Sequence, residues 1–158
     1  MIRLRPVLRK IYDNLLPNQP VWDLCCDHGL LGEAAIHTGI SSEVHFVDQS
    51  IPVMETLRRQ KQDLVGATFY LLNAAHLPGP VSGSVVISGV GSHTVIKILD
   101  NLKWISSIRL LISSNNKPEL LKEYFFRRGW DKYITEHTSV EENHRKRLFF
   151  RIDLPAND

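Results

Sequence analysis

Apolar stretches of strand length alternate with helical patterns five times along these 158 residues, and the chain then closes on two more strand-like segments. The strands are expected near Val21–Leu24, Glu43–Val47, Thr68–Leu72, Ser84–Ser88 and Ile105–Ser113. Between and around them, apolar residues recur at helical spacing in Pro6–Leu16, Leu30–Thr38, Ile51–Leu64, a segment starting near Ser92, and one from Pro118 that Gly129 closes. Parallel strands need a crossover of helix length, whereas antiparallel neighbours can turn tightly. The final segments, Trp130–Val140 and Arg147–Leu154, are joined only through Glu141-Glu142-Asn143-His144 and therefore read as a hairpin. The order predicts an α/β fold: a doubly wound, mostly parallel sheet with one antiparallel strand near the C-terminus.

Size and composition set limits on this fold. At 158 residues and 43% hydrophobic content, residues 1–158 can bury one core and make one domain, with residues 1–17 supplying a helix packed on it. The net charge of +2 declares no nucleic-acid partner by itself. No run reaches the ~18 apolar residues of a membrane span. Met1-Ile2-Arg3-Leu4-Arg5 lacks the apolar centre of a secretory signal, so a cytoplasmic monomer without a membrane partner is expected. The two cysteines, Cys25 and Cys26, are adjacent. Neighbours on a strand point to opposite faces, so they read as reduced thiols, and the pair lacks zinc-ligand spacing; no metal is expected.

Chemistry concentrates at strand ends. Val21-Trp-Asp-Leu-Cys-Cys-Asp-His-Gly-Leu-Leu-Gly32 is an apolar strand running into small and polar residues before a helix, the place where open α/β sheets bind ligands. Gly29, Gly32 and Cys25 leave room for close approach to backbone N–H groups. Asp48 ends the second strand, 25 residues after Asp23, where an acid accepts hydrogen bonds from ribose hydroxyls or caps the next helix. Asn73 ends the third strand and offers a donor and an acceptor to a base edge. Gly89-Val90-Gly91 follows the fourth and admits a close ligand. His93, in the next helical turn, reads as a surface residue. Asn115 ends the fifth strand, as a helix cap or as a reader of a base. Basic residues at both ends, including Arg5, Arg9 and Lys10 and then Arg127, Arg145 and Arg147, make either solvated faces or phosphate-tracking patches flanking one cleft.

The spacing Asp23-x-Cys25-x-Asp27-x-Gly29 resembles the acid-x-Gly-x-Gly-x-Gly motif of S-adenosylmethionine-dependent methyltransferases, with Cys25 and Asp27 at two glycine positions. More narrowly, Asp23-Leu-Cys-Cys-Asp27-His28-Gly-Leu-Leu31 is similar to the Asp-Ile-Gly-Ser-Asp-His-Ala-Tyr-Leu signature of the bacterial tRNA (adenine-22-N1)-methyltransferase family. Ile87-Ser-Gly89-Val-Gly91 resembles its Ile-Ala-Gly-Met-Gly, and Leu110-Leu-Ile-Ser-Ser-Asn115 its Leu-Ile-Leu-Gln-Pro-Asn. Asp48 stands where the family tends to have Glu, and Ser114 replaces a proline. That family carries a helical extension after this domain, so the resemblance is to its catalytic domain alone.

The resemblance implies a Rossmann-like class I methyltransferase fold, S-adenosyl-L-methionine as cofactor, and tRNA or another RNA as partner, with no DNA expected. Asp23, Cys25, Gly29, Asp48, Gln49, Asn73, Ala74, Ser88 and Gly89 are the implied cofactor contacts, and Asp27, His28 and Asn115 the implied catalytic group. Adenine N1 has a free lone pair and needs no deprotonation; its methylation creates a cation that Asp27 can stabilise. The Asp/Asn-Pro-Pro-aromatic motif of many adenine N6 enzymes is absent after the fourth strand, as is the Gly-x-Gly-x-x-Gly turn of nicotinamide-dependent dehydrogenases. Two alternatives stay open: a methyltransferase of the same fold acting on a small molecule or a protein, and a module that binds cofactor or RNA without catalysis.

Overall fold

The computed structural model describes residues 2–157; Met1 and Asp158, the ends of the expected domain, lie outside the described residues. Seven strands form one sheet in the order β3-β2-β1-β4-β5-β7-β6. They are β1 (Val21–Leu24), β2 (Val44–Asp48), β3 (Ala67–Leu71), β4 (Val81–Val90), β5 (Trp104–Ser114), β6 (Ile134–Glu142) and β7 (Arg145–Leu154). The first five run parallel, and β7 runs antiparallel to both β5 and β6. The single reversed strand thus lies second from the edge, as the closing hairpin requires.

The helices are α1 (Pro6–Tyr12), α2 (Leu30–His37), α3 (Ile51–Gln60), α4 (Ser92–Asn101) and α5 (Pro118–Arg127). Consecutive residues of β4 divide between two cores, which is what burial of both sheet faces demands. Val85 and Ile87 join Val95, Ile98, Leu99, Leu121 and Phe125 from α4 and α5. Val86 joins Val7, Ile11, Leu31, Met54 and Leu57 from α1, α2 and α3. The chain leaves β1 in one direction toward β2 and returns on its other side through β4, so the crevice opens at the carboxyl ends of these strands.

Several boundaries differ from the sequence reading, each for a local reason. α1 stops at Tyr12 because Asn14 and Leu15 turn back in tight bonds to the carbonyls of Ile11 and Tyr12, while Leu15 stays buried. α3 stops at Gln60, where the buried Lys61 turns inward to an ion pair with the half-buried Glu33. Strand β4 starts three residues before Ser84, and a 3-10 turn over Asp131–Tyr133 delays β6 to Ile134. Glu141 and Glu142 belong to β6, and Glu142 pairs with Arg145. Only Asn143 and His144 make the turn, both left-handed (φ 51° and 62°), the conformation that matches strand twist in a two-residue hairpin.

The hairpin matters because α1 docks on it. Glu142 Oε1 accepts a hydrogen bond from the Val7 amide at 3.1 Å, and Lys10 Nζ donates to Glu136 Oε1 at 2.5 Å. The start of α1 and the tip of the hairpin thereby reach the same crevice.

Candidate active site

A cleft of about 410 Å³ opens at the carboxyl ends of β1, β2, β4 and β5. Its floor is the loop after β1. Cys25, Asp27 and Gly29 all have positive φ (65°, 49° and 68°), so every position that is glycine in the acid-x-Gly-x-Gly-x-Gly pattern keeps a left-handed backbone. Two non-glycine residues hold that conformation at a cost of about 1–2 kcal/mol each. The surroundings impose it: the Cys25 and Cys26 amides both donate to the Val47 carbonyl at 2.9 and 3.0 Å, and the Gly29 amide donates to the Cys26 carbonyl at 2.9 Å. At Gly29, a Cβ would lie 2.9 Å from a Leu57 methyl and 3.1 Å from the Phe46 ring, so packing adds to the conformational need.

Asp48, at the end of β2, is tied to this loop. Its Oδ2 accepts from the Asp27 amide at 3.2 Å and its Oδ1 from the Ser50 amide at 2.9 Å. Ser50, and not Asp48, caps α3 through its side chain. Asp23 is only 6% exposed, and burial, reinforced by Asp48 and Asp27, raises its pKa to about 7. The same burial, with Asp48 and Asp23 adding to it, pushes the Cys25 thiol up to about 11; Cys26 is raised further, mainly by burial. Both stay protonated thiols at neutral pH. Among the described residues, no group of three or more His, Cys, Asp or Glu could hold a metal ion.

Facing the acids, β4 carries a bulge: Ser88 pairs with Ser113 and Val90 with Ser114, leaving Gly89 extra, with φ 78°. A Cβ on Gly89 would meet nothing within 4 Å, so the bulge opens onto free space. Asn115 Nδ2 donates to the Gly89 carbonyl at 2.8 Å, which fixes the carboxamide and leaves its Oδ1 without a partner among the described residues. It does not cap α5, whose N-cap is the left-handed Lys117; the neighbouring Asn116 accepts from the Ser92 amide in the first turn of α4. His28 and Asp27 are exposed at the rim, with Nε2 and Oδ2 3.7 Å apart.

Of the residues singled out in the sequence, Asp23, Cys25, Asp27, His28, Gly29, Asp48, Ser88, Gly89 and Asn115 line this one cleft. Gln49, Asn73 and Ala74 do not. Asn73 spends its Oδ1 on the Ala75 amide at 2.9 Å, Ala74 packs in the core, and Gln49 is exposed beyond Asp48. The cleft also takes Val7, Leu8, Ser113, Glu142 and Asn143, which the sequence assigns only to the opening helix, the end of the fifth strand and the closing turn. The tight Asn143-His144 turn was the available signal for the hairpin tip.

A sequence model of the family described as a methyltransferase domain matches residues 4–149. The chain belongs to the methyltransferase domain family. No curated protein matches the sequence. Among solved structures, this methyltransferase domain is similar to an uncharacterized protein from Listeria monocytogenes (TM-score 0.81, 16% identity, 99% of this chain and 70% of that chain). It is also similar to M. capricolum TrmK in complex with S-adenosyl-homocysteine (0.79, 16%, 96% and 69%) and to the B. subtilis M1A22 tRNA methyltransferase TrmK (0.75, 16%, 100% and 68%). At these identities the likeness is one of fold. It extends over the whole methyltransferase domain, including α1 and the closing hairpin.

Proposed function

We propose that this methyltransferase domain uses S-adenosylmethionine to methylate N1 of an adenine in tRNA, as an RNA-binding enzyme of the cytoplasm. The observation that carries the reading is the convergence of Asp23, Asp27 and Asp48 on one wall of the cleft, with a pinned Asn115 carboxamide facing it. The solved TrmK structures, one of them holding the cofactor product, support the choice of cofactor and acceptor.

The residues present fit that cofactor. Asp23 is a buried carboxyl with no hydrogen bond among the described residues and a raised pKa, a group whose ionised form a cationic ligand stabilises. Asp48 offers both carboxylate oxygens to a vicinal diol, each already oriented by one backbone amide. The left-handed loop exposes backbone without bulky side chains.

When bound, S-adenosylmethionine supplies an electrophilic methyl group. The chain's own residues then position the acceptor. Asn115 Oδ1 accepts from an exocyclic amino group, which sets the adjacent ring nitrogen of adenine on line with the cofactor side of the cleft. Asp27 supplies negative charge beside the base as it becomes cationic, and His28 orients Asp27 from the rim. Leu8 and Val90 give the mouth apolar walls against water.

Calorimetric titration with S-adenosylmethionine, followed by labelled-methyl transfer to unmodified bulk tRNA and mapping of the product, tests the reading. Cofactor binding with label at adenine N1 is expected. Binding with transfer to no RNA would move the assignment to another acceptor, and no binding would remove the cofactor.

A further inference from the structure

Most of the basic residues near the two chain ends either have a partner or lie outside the cleft lining. Arg9 pairs with Asp13 and Lys10 with Glu136, and Arg128 lies 4.5 Å over the Trp130 ring, 3.5 Å from Asp100. Arg5 and Arg147 form no ion pair among the described residues, and both line the cleft. They come from opposite ends of the sequence, brought together because α1 docks on the β6–β7 hairpin. Glu142, the acid of the hairpin that also lines the cleft, accepts the Val7 amide at 3.1 Å and forms no ion pair with either arginine among the described residues.

Arg147 is also held in place. Its Nη1 donates to the Asn115 carbonyl at 2.8 Å, so the cation is fixed to the residue that faces the acceptor. The cleft is therefore polarised: Asp23, Asp27 and Asp48 form one side, and Arg5 and Arg147 stand at the other. A base drawn into such a cleft leaves its sugar-phosphate at the mouth. A guanidinium fork suits phosphate oxygens there.

We propose that Arg147, with Arg5 at the same mouth, seats a backbone phosphate of the acceptor RNA strand beside the target nucleotide, an inference that rests on the RNA substrate proposed above. The test loads the full chain with S-adenosylhomocysteine and titrates a fluorescent heptanucleotide RNA with one central adenosine at several salt concentrations. Arg147→Ala should weaken binding about tenfold at low salt and flatten the log–log salt slope by about 0.7, the value for one lost single-strand phosphate contact. Arg147→Lys should keep most of the slope. Arg5→Ala, whose side chain makes no hydrogen bond among the described residues, gives the same readout without disturbing Asn115. Replacing the phosphates flanking the adenosine by uncharged methylphosphonates should cost the wild type about as much as Arg147→Ala costs, and should cost that variant much less.

Unchanged slopes in both alanine variants overturn the proposal, as does failure of the wild type to bind the heptanucleotide. A tenfold loss of S-adenosylhomocysteine affinity with an unchanged RNA slope also overturns it, because the arginines then hold the cofactor's carboxylate. Methyl transfer is scored separately. Normal transfer to tRNA with unchanged slopes removes the phosphate seat and leaves the function; altered slopes without transfer keep the seat and remove the activity.

Discussion

The two sides of the cleft are built differently. The acidic side comes from residues 23–29 and 48, one loop and the strand end beside it, joined by backbone bonds to the Val47 carbonyl and the Asp48 carboxylate. The basic side takes Arg5, Gly89, Asn115, Glu142 and Arg147 from segments spread over almost the whole chain. A wall made of consecutive residues tolerates drift in side-chain identity as long as its backbone bonds remain. A wall assembled from distant segments depends on each connection.

Asp27→Ala offers the largest effect. Methyl transfer should fall by about 10²–10³-fold, the scale of losing one preorganised electrostatic group, while cofactor affinity changes less than about threefold because the backbone amide to Asp48 survives. Comparable losses in turnover and cofactor affinity would instead put Asp27 wholly on the cofactor side. Asp48→Ala should weaken cofactor binding by about 1.5–3 kcal/mol, through loss of charge-assisted bonds to ligand and loop, measured by calorimetry. An unchanged dissociation constant would mean that the left-handed loop holds itself.

The buried Asp23 gives a pH signature confined to the acidic side. Its pKa is raised from 3.8 to about 7 in the folded chain, so between these values the folded state binds a proton that the unfolded state has lost. Stability of the ligand-free protein should therefore be greatest below about pH 4 with respect to this group, and decline as pH rises to about 7, by on the order of 4 kcal/mol. Cofactor affinity should run the other way, rising with pH to about 7 as the carboxylate ionises for a cationic ligand. Asp23→Asn should flatten both profiles; persistence of either slope would assign it to another group.

Cys25→Gly should do least. It relieves about 1–2 kcal/mol of left-handed strain and forfeits a partly buried thiol packed on the core, so melting should report a net change within about 1 kcal/mol. Cofactor affinity should hold within about threefold. A larger loss on either measure would show that the thiol, and not the backbone, shapes the floor.

Much of the acidic side was legible before the structure. Asp23, Cys25, Asp27, Gly29 and Asp48 sit at fixed spacings along one strand–turn–helix unit, so periodicity and spacing locate them directly. Asn73 and Ala74 read the same way, yet lie outside the cleft, because the Asn73 carboxamide caps a local 3-10 turn. On the other side, Asn115 was legible as a strand end, but its orientation toward Gly89 was not, nor was the bond that the neighbouring Asn116 accepts from the Ser92 amide in α4.

The sequence by itself determined the order of strands and helices along the chain, the reversed strand near the C-terminus, and most of the strand ends that line the cleft, since each follows from a period or a short spacing that local sterics enforce. Tertiary structure alone decided which of the many basic residues face the cleft, and that Glu142 is occupied by α1 while Arg147 is anchored on Asn115. Those outcomes depend on how α1 seats against the hairpin more than 120 residues away, as in the Lys10–Glu136 pair. The register of that contact is set by packing in the shared core, which no local pattern encodes.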